Sequence, residues 1–166
     1  MQVKRRIDYH SPTFIIQDID LTFDLCPEKT IVRNVMTVER TAANGTDELV
    51  LDGSELTLIS IQVDGEELTE VVDYRIKDEK LTLFALPVCC ELTIVTQINP
   101  KANTALDGLY YASDTFCTQC EAEGFRRITY YLDRPDVLSI FTVTINANKT
   151  LYPFLLSNGN TIAQGD

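Results

Sequence analysis

Cysteines 117 and 120, Gln119, Glu121, Arg126, Arg127, Tyr130, Tyr131, Asp133, Arg134 and Asp136 all fall within the single stretch 117–136. Carboxylates, guanidiniums, thiols and phenols at that density are expected on loops carried by a rigid scaffold. A carboxylate such as Glu121 can receive a cation, because charge-assisted hydrogen bonds are about twice as strong as neutral ones. On the residues alone it reads first as a solvated loop acid or as an internal partner for Arg126 or Arg127. Asp133, Arg134 and Asp136 surround Pro135. Fork-shaped guanidinium contacts among them would cross-tie the stretch and hold Gln119 and Glu121 in register.

The thiols invite other chemistry. Cys117-x-x-Cys120 has the spacing of half a zinc site or of a redox pair. Structural zinc wants a second pair of ligands, and adjacent Cys89 and Cys90 would point to opposite faces of a strand. Thioredoxin-like exchange needs its pair at the start of a helix in a βαβ unit, which the chain lacks. Buried, reduced thiols acting as small apolar residues are the remaining reading. His10 is the single histidine, so no His-x-x-x-His zinc helix, serine triad or Cys-His dyad of the usual kind can be assembled. No catalytic residue and no metal ligand is assigned within the chain, and no glycine-rich phosphate loop is present.

Composition narrows the function classes. The chain has 166 residues, 45% of them apolar, enough for one domain with a substantial core. Twenty-five acids against fourteen bases give a net charge of −11, which argues against a nucleic-acid partner. The one basic cluster, Lys4-Arg5-Arg6, reads as a solvated tail. No apolar run is long enough to span a membrane, and Asp8, His10 and Asp18 interrupt any signal segment. Five cysteines, an odd number, do not form the framework of a small secreted domain. Together these imply a cytoplasmic protein.

The elements that must position the stretch read as strands. Ile19, Leu21, Phe23 and Leu25 alternate with Asp20, Thr22 and Asp24, the period of a half-buried strand. Residues 26–29 turn the chain back into Thr30–Glu39, with Val32, Met36 and Val38 on one face. Asn44–Asp47 is a turn signal before Leu49–Leu51. Leu56–Val63 runs into Asp64-Gly65, a strong hairpin signal, and Lys77–Lys80 is the charged tip of another between Tyr74–Ile76 and Leu81–Phe84. Leu92–Ile98 is a further strand. From Pro100 to Thr115 the chain reads as loop with Asp107-Gly108 and Ser113-Asp114 as breakers. One or two short helical turns are predicted between Glu121 and Tyr131, another could begin at Pro135, and Leu138–Ile145 returns to strand. Asn158-Gly159 predicts a last hairpin, and an ending inside an apparent strand pair suggests a domain cut from a longer polypeptide. The fold class is therefore all-β: antiparallel sheets packed as a sandwich, with one or two helical turns.

In detail the stretch resembles the N-terminal domain of the aminopeptidase N family of zinc aminopeptidases, in its bacterial form. Gln119-x-Glu121, Arg126 and Asp133-x-Pro135 are in step with that family's loop, and Leu106-Asp107-Gly108-Leu109-Tyr110 matches its approach. Arg6–Tyr9, Ile19–Leu25, Leu51–Gly53, Val63–Gly65 and Tyr152–Asn160 extend the likeness over essentially all of residues 1–166. Thr129-Tyr130 follows the bacterial branch, where the animal branch has Phe-Pro. The resemblance implies a saddle-like β-domain, the single domain of the segment, that caps an active site completed by a catalytic domain of the same chain. It implies that Glu121 binds the α-ammonium of a peptide substrate's N-terminus, that Gln119 lines the first subsite beside it, and that Asp133-x-Pro135 supports the loop. Zinc would be ligated outside this segment, which would be inactive alone. The alternative is a free-standing β-sandwich whose tyrosine-rich loop binds a protein or a sugar.

Overall fold

A computed structural model describes residues 5–41 and 47–165. It contains eleven strands and two 3-10 turns, at Arg6–Asp8 and Phe125–Arg127. The strands are β1 (Phe14–Asp24), β2 (Thr30–Arg40), β3 (Leu49–Asp52), β4 (Thr57–Val63), β5 (Glu66–Glu67), β6 (Tyr74–Lys77), β7 (Lys80–Leu83), β8 (Cys89–Ile98), β9 (Gly108–Ala112), β10 (Thr115–Gln119) and β11 (Ile140–Asn146). They form a six-stranded sheet in the order β11-β1-β2-β8-β4-β5, a three-stranded sheet β3-β7-β6 and the ribbon β10-β9. No described helix is long and apolar enough to cross a membrane.

Alternation dictates which faces meet. Val32, Met36 and Val38 of β2 and Cys90, Leu92, Ile94 and Ile98 of β8 face inward from the large sheet, and Leu49, Leu51, Leu81 and Leu83 face them from the small one. These side chains belong to one buried cluster, so the two sheets share a core in a sandwich-like arrangement. Ile16 and Ile19 are both buried although three positions apart, because the β1–β2 register shifts between them and a bulge absorbs Gln17 and Asp18 on the outside. The hairpin turns follow their residues: Asp64 and Gly65 have φ of 52° and 85°, and Asp78 and Glu79 of 52° and 58°. That is the left-handed pair a two-residue hairpin loop demands.

Four expectations need correction or restriction. Residues 108–119, read mainly as loop, form the β9–β10 hairpin, turning at Ser113 and Asp114 with φ of 49° and 59°. No helix begins at Pro135; a turn closes there through Val137 N–H to the Arg134 carbonyl at 3.2 Å. No strands flank Asn158-Gly159, which is a bend in an irregular segment. The turn signal at Asn44–Thr46, the terminal Lys4 and Asp166 lie outside the described residues. Among the described strands one pairing is parallel: β11 lies beside β1, with Ile19 opposite Phe141 and Phe23 opposite Ile145.

Candidate functional site

Gln119 closes β10, and the chain then loops through Cys120–Gly124 into the 3-10 turn Phe125–Arg127. Two glycines permit this path. Gly108 has φ +74°, a conformation costly to other residues. At Gly124 the backbone passes so close to the Gln119 carbonyl and Cys120 that an added Cβ would stand 2.8 and 2.9 Å from them. The Gly124 N–H donates to the Cys120 carbonyl at 3.0 Å, closing the loop on itself.

Below the loop the chain re-enters the core. Ile128, Thr129, Tyr130, Tyr131 and Leu132 are buried and run between the two sheets, where their polar backbone must find partners. Thr96 on β8 donates to the Ile128 carbonyl at 3.2 Å, and Asn34 on β2 approaches the Tyr130 carbonyl and Thr129 Oγ1 at 3.4 Å. On the other side Asp52 and Tyr131 exchange both backbone hydrogen bonds, at 2.7 and 3.0 Å. The segment is thus stapled to both sheets, and the loop before it inherits that fixed footing. Asn34 and Thr96 were not singled out in the sequence. Their signal is a polar residue at an inward position of an apolar alternation, Val32-x-Asn34-x-Met36.

The arginines beside the loop all have acidic partners. Arg126 donates its backbone N–H and its Nε–H to one oxygen of Asp133, at 3.1 and 2.9 Å, and its Nη2 to the Asp133 carbonyl at 3.1 Å. Its Nη2 also lies 3.4 Å from Glu123. The neighbouring Asp133 and Asp52 hold the Arg126 guanidinium in its charged form against the opposing effect of burial. Arg127 pairs with Glu55 at 2.8 Å and lies 3.7 Å from Asp107. Arg134 grips Asp136 through two parallel bonds of 2.8 and 2.7 Å and donates to the His10 carbonyl at 2.9 Å. Asp136 is accordingly held below the usual carboxylate range, first by Arg134. The cross-tying read from the sequence is therefore present, with Asp133 clamping Arg126 and Asp136 clamping Arg134.

Glu121 is on the exposed side of this network. Among the described residues its carboxylate has no ion pair or hydrogen-bond partner, since Arg126 and Arg127 are engaged elsewhere. Gln119 is exposed beside it and donates its Nε2–H to the Glu121 backbone carbonyl at 3.0 Å, so its side chain reaches the Glu121 main chain. The Glu121–Ala122 peptide is cis. Aromatic rings pack beneath the loop, with Phe125 edge-on to Tyr131 and Phe141 at centroid distances of 4.9 and 5.8 Å.

The thiols separate into different environments. All five cysteines are unbridged; Cys89 is exposed and Cys90 buried on opposite faces of β8. Burial pushes the Cys120 thiol up to about 11, with Asp107 and Asp133 adding to the effect. Among the described residues no three His, Cys, Asp or Glu side chains gather into a metal-holding group, so none is assigned to holding zinc.

The sequence profile of the Peptidase M1 N-terminal domain matches residues 13–166. The chain belongs to the M1 peptidase N-terminal domain family. The Escherichia coli K12 protein named Aminopeptidase N is 50% identical over 165 residues, covering 99% of this chain and 18% of its own length. The Haemophilus influenzae protein of the same name is 46% identical over 168 residues, covering 99% of this chain and 19% of its own. Among solved structures, Legionella pneumophila aminopeptidase A in complex with aspartic acid superposes with a TM-score of 0.86 at 32% identity, over 94% of this chain and 18% of that one. An M1 zinc metallopeptidase from Deinococcus radiodurans bound to a Tyr-Ser-Ala substrate shares the fold, with a TM-score of 0.66 at 18% identity over 80% of this chain and 32% of that one. This M1 N-terminal domain thus spans about a fifth of the length of its curated relatives.

Proposed function

We propose that the chain is the first domain of a zinc aminopeptidase that removes N-terminal residues from peptides. In this reading the domain caps the active site, Glu121 binds the α-ammonium of the substrate, and Gln119 lines the subsite beside it. Zinc is ligated by residues outside the segment, where it would polarise the scissile carbonyl, and the 166 residues alone do not hydrolyse peptides. The observation that carries the reading is the availability of Glu121: in a stretch where the neighbouring arginines are paired with other acids, this one carboxylate faces outward from a loop fixed at its base. A substrate ammonium enclosed there would be its natural counter-charge, and losing such a partner costs about 2–5 kcal/mol.

The test is Glu121→Gln in the intact enzyme. The variant should lose kcat/KM on aminoacyl-arylamides by roughly 30-fold to several-thousand-fold while its zinc content stays unchanged. Full activity would remove Glu121 from substrate recognition. Hydrolysis by the 166 residues alone would contradict the assignment of the chemistry to another part of the enzyme.

A further inference from the structure

Among the described residues the buried polar side chains are hydroxyls with one exception, the amide of Asn34 on β2. A core hydroxyl can turn toward any nearby carbonyl, whereas an amide brings two N–H donors and an acceptor that all need partners. At Asn34 they are met only in part. Nδ2 has two long contacts, 3.4 Å each, to Thr129 Oγ1 and the Tyr130 carbonyl, and Oδ1 has no partner among the described residues. The surroundings are apolar, with Val32 and Met36 inward on the same strand and Ile94 opposite on β8. A leucine of similar size would fill that place without the cost of a buried, half-satisfied amide. Packing therefore does not account for Asn34, and the donor it aims at the Tyr130 carbonyl does.

That donor matters because of how the segment 128–132 is held. Toward the small sheet it has a backbone bridge, Tyr131 with Asp52, and Gly53 leaves room for the Tyr130 ring where any Cβ would clash. Toward the large sheet no backbone hydrogen bond joins it to β2 or β8 among the described residues. Two side chains from neighbouring strands take that place: Thr96 donates to the Ile128 carbonyl at 3.2 Å, and Asn34 reaches the Tyr130 carbonyl two residues on. In a ladder the pairing pattern fixes register; here the side chains must. From these two carbonyls the position is relayed to the loop. Ile128 N–H donates to the Phe125 carbonyl at 2.9 Å, Arg127 N–H to the Gly124 carbonyl at 3.1 Å and Gly124 N–H to the Cys120 carbonyl at 3.0 Å, and Glu121 follows Cys120.

We propose that Asn34 and Thr96 are positioning residues for substrate recognition: their side chains fix where the segment 128–132 sits between the sheets and, through the 3-10 turn Phe125–Arg127, where the Glu121 carboxylate is presented. The proposal rests on the reading of Glu121 as the acceptor of a substrate ammonium. Neither residue touches the substrate; both are buried and act through the backbone they grip. The scale of the effect follows from geometry. One residue of extended chain spans about 3.3 Å, while a hydrogen bond keeps its strength over a range of only about 0.5 Å. A misplacement of about 1 Å caused by a remote substitution is enough for a loss of roughly a hundred-fold.

Asn34→Leu, Thr96→Val and Thr96→Ser in the intact enzyme test this, each alone and combined with Glu121→Gln, with kcat/KM on an aminoacyl-arylamide measured per bound zinc. Asn34→Leu and Thr96→Val should each lose about ten- to a hundred-fold. Thr96→Ser keeps the hydroxyl and should recover most of that loss. In the Glu121→Gln background the same substitutions should cost less than about two-fold, because the group they place is already gone. Losses that recur at full size in that background, or a Thr96→Ser enzyme as poor as Thr96→Val, would mean general damage to the core and would overturn the proposal. Should Asn34→Leu fail to fold, the Thr96 pair decides by itself. Wild-type activity in Asn34→Leu and Thr96→Val beside an impaired Glu121→Gln would overturn the positioning role alone, whereas a fully active Glu121→Gln would remove the proposed function beneath it.

Discussion

Replacing Asp133 by alanine removes the carboxylate oxygen on which the backbone N–H and the Nε–H of Arg126 converge, at 3.1 and 2.9 Å. The two side chains are 12% and 27% exposed, so water replaces little of what is lost. A hydrogen bond to a charged group contributes about 1.5–3 kcal/mol, and breaking a fully buried pair costs about 3–5 kcal/mol. Arg126 is not stranded, because Glu123 and Asp52 remain 3.4 and 4.0 Å away and Nη2 keeps the Asp133 backbone carbonyl at 3.1 Å. The loss should therefore sit near the lower end, about 2–3 kcal/mol. At about 2–4 °C per kcal/mol for a domain of this size, Tm falls by about 4–12 °C. Thermal and denaturant unfolding of the wild type, Asp133→Ala, Arg126→Ala and the double variant completes the measurement, with a coupling of at least about 1 kcal/mol expected between contacting residues. An Asp133→Ala protein within about 0.5 kcal/mol of wild type, the range of an ordinary surface change, would refute the clamp.

Two further outcomes follow from the same region. Gly124→Ala drives a methyl group into the Gln119 carbonyl and Cys120. It should cost about 1–3 kcal/mol in denaturant unfolding; unchanged stability would mean the close approach is not maintained. Burial pushes Cys90 and Cys120 up to about 11, with nearby Asp64 and Asp107 respectively as the next contributors. Both should be alkylated by iodoacetamide at pH 8 after exposed Cys26 and Cys89, read by peptide mass spectrometry, since the thiolate is the nucleophile. The sign for stability is a loss with rising pH. Between the ordinary value of 9.0 and about 11 the unfolded chain releases protons that the folded chain keeps, so denaturant midpoints should fall across that window.

Much of the fold is legible wherever the signal is local. The β4–β5 and β6–β7 hairpins are announced by alternation and by turn residues that accept positive φ, and β1–β2 by alternation on either side of residues 26–29. The β9–β10 hairpin escapes because Ser113 and Asp114 are weaker turn signals than Asp-Gly, and because Phe116 stacks with Tyr152, a residue far along the chain whose hydroxyl also donates to that of Tyr111. The parallel pairing of β11 with β1 joins residues more than a hundred positions apart, and nothing in either strand encodes so remote a partner. At the site, acids and arginines around Pro135 predict ion pairs, but which acid serves which arginine depends on β3 and on Asp107. Glu55 and Asp52 enter the network only through the fold.

The exposure that makes Glu121 available also limits what it can do unaided. An exposed carboxylate–ammonium pair is screened by water and is stabilising by only about 0–1 kcal/mol, less than a ten-fold preference. The same pair becomes worth several kcal/mol only when both partners are desolvated. A rigid footing for residues 119–124 and a water-excluding cover are therefore separate requirements, and the stapled segment 128–132 supplies the first. If Glu121 receives the substrate ammonium as proposed, discrimination for a free amino terminus would be a property of the covered site rather than of the domain. Titrating the 166-residue chain with an amino-acid amide, followed by NMR shifts near Gln119 and Glu121, should give no saturation below about 10 mM, because a surface ion pair of that strength cannot offset the cost of immobilising the ligand. Saturation in the micromolar range, abolished by Glu121→Gln, would refute this: the domain would then already hold a complete amine site, and no second domain would be needed to create one.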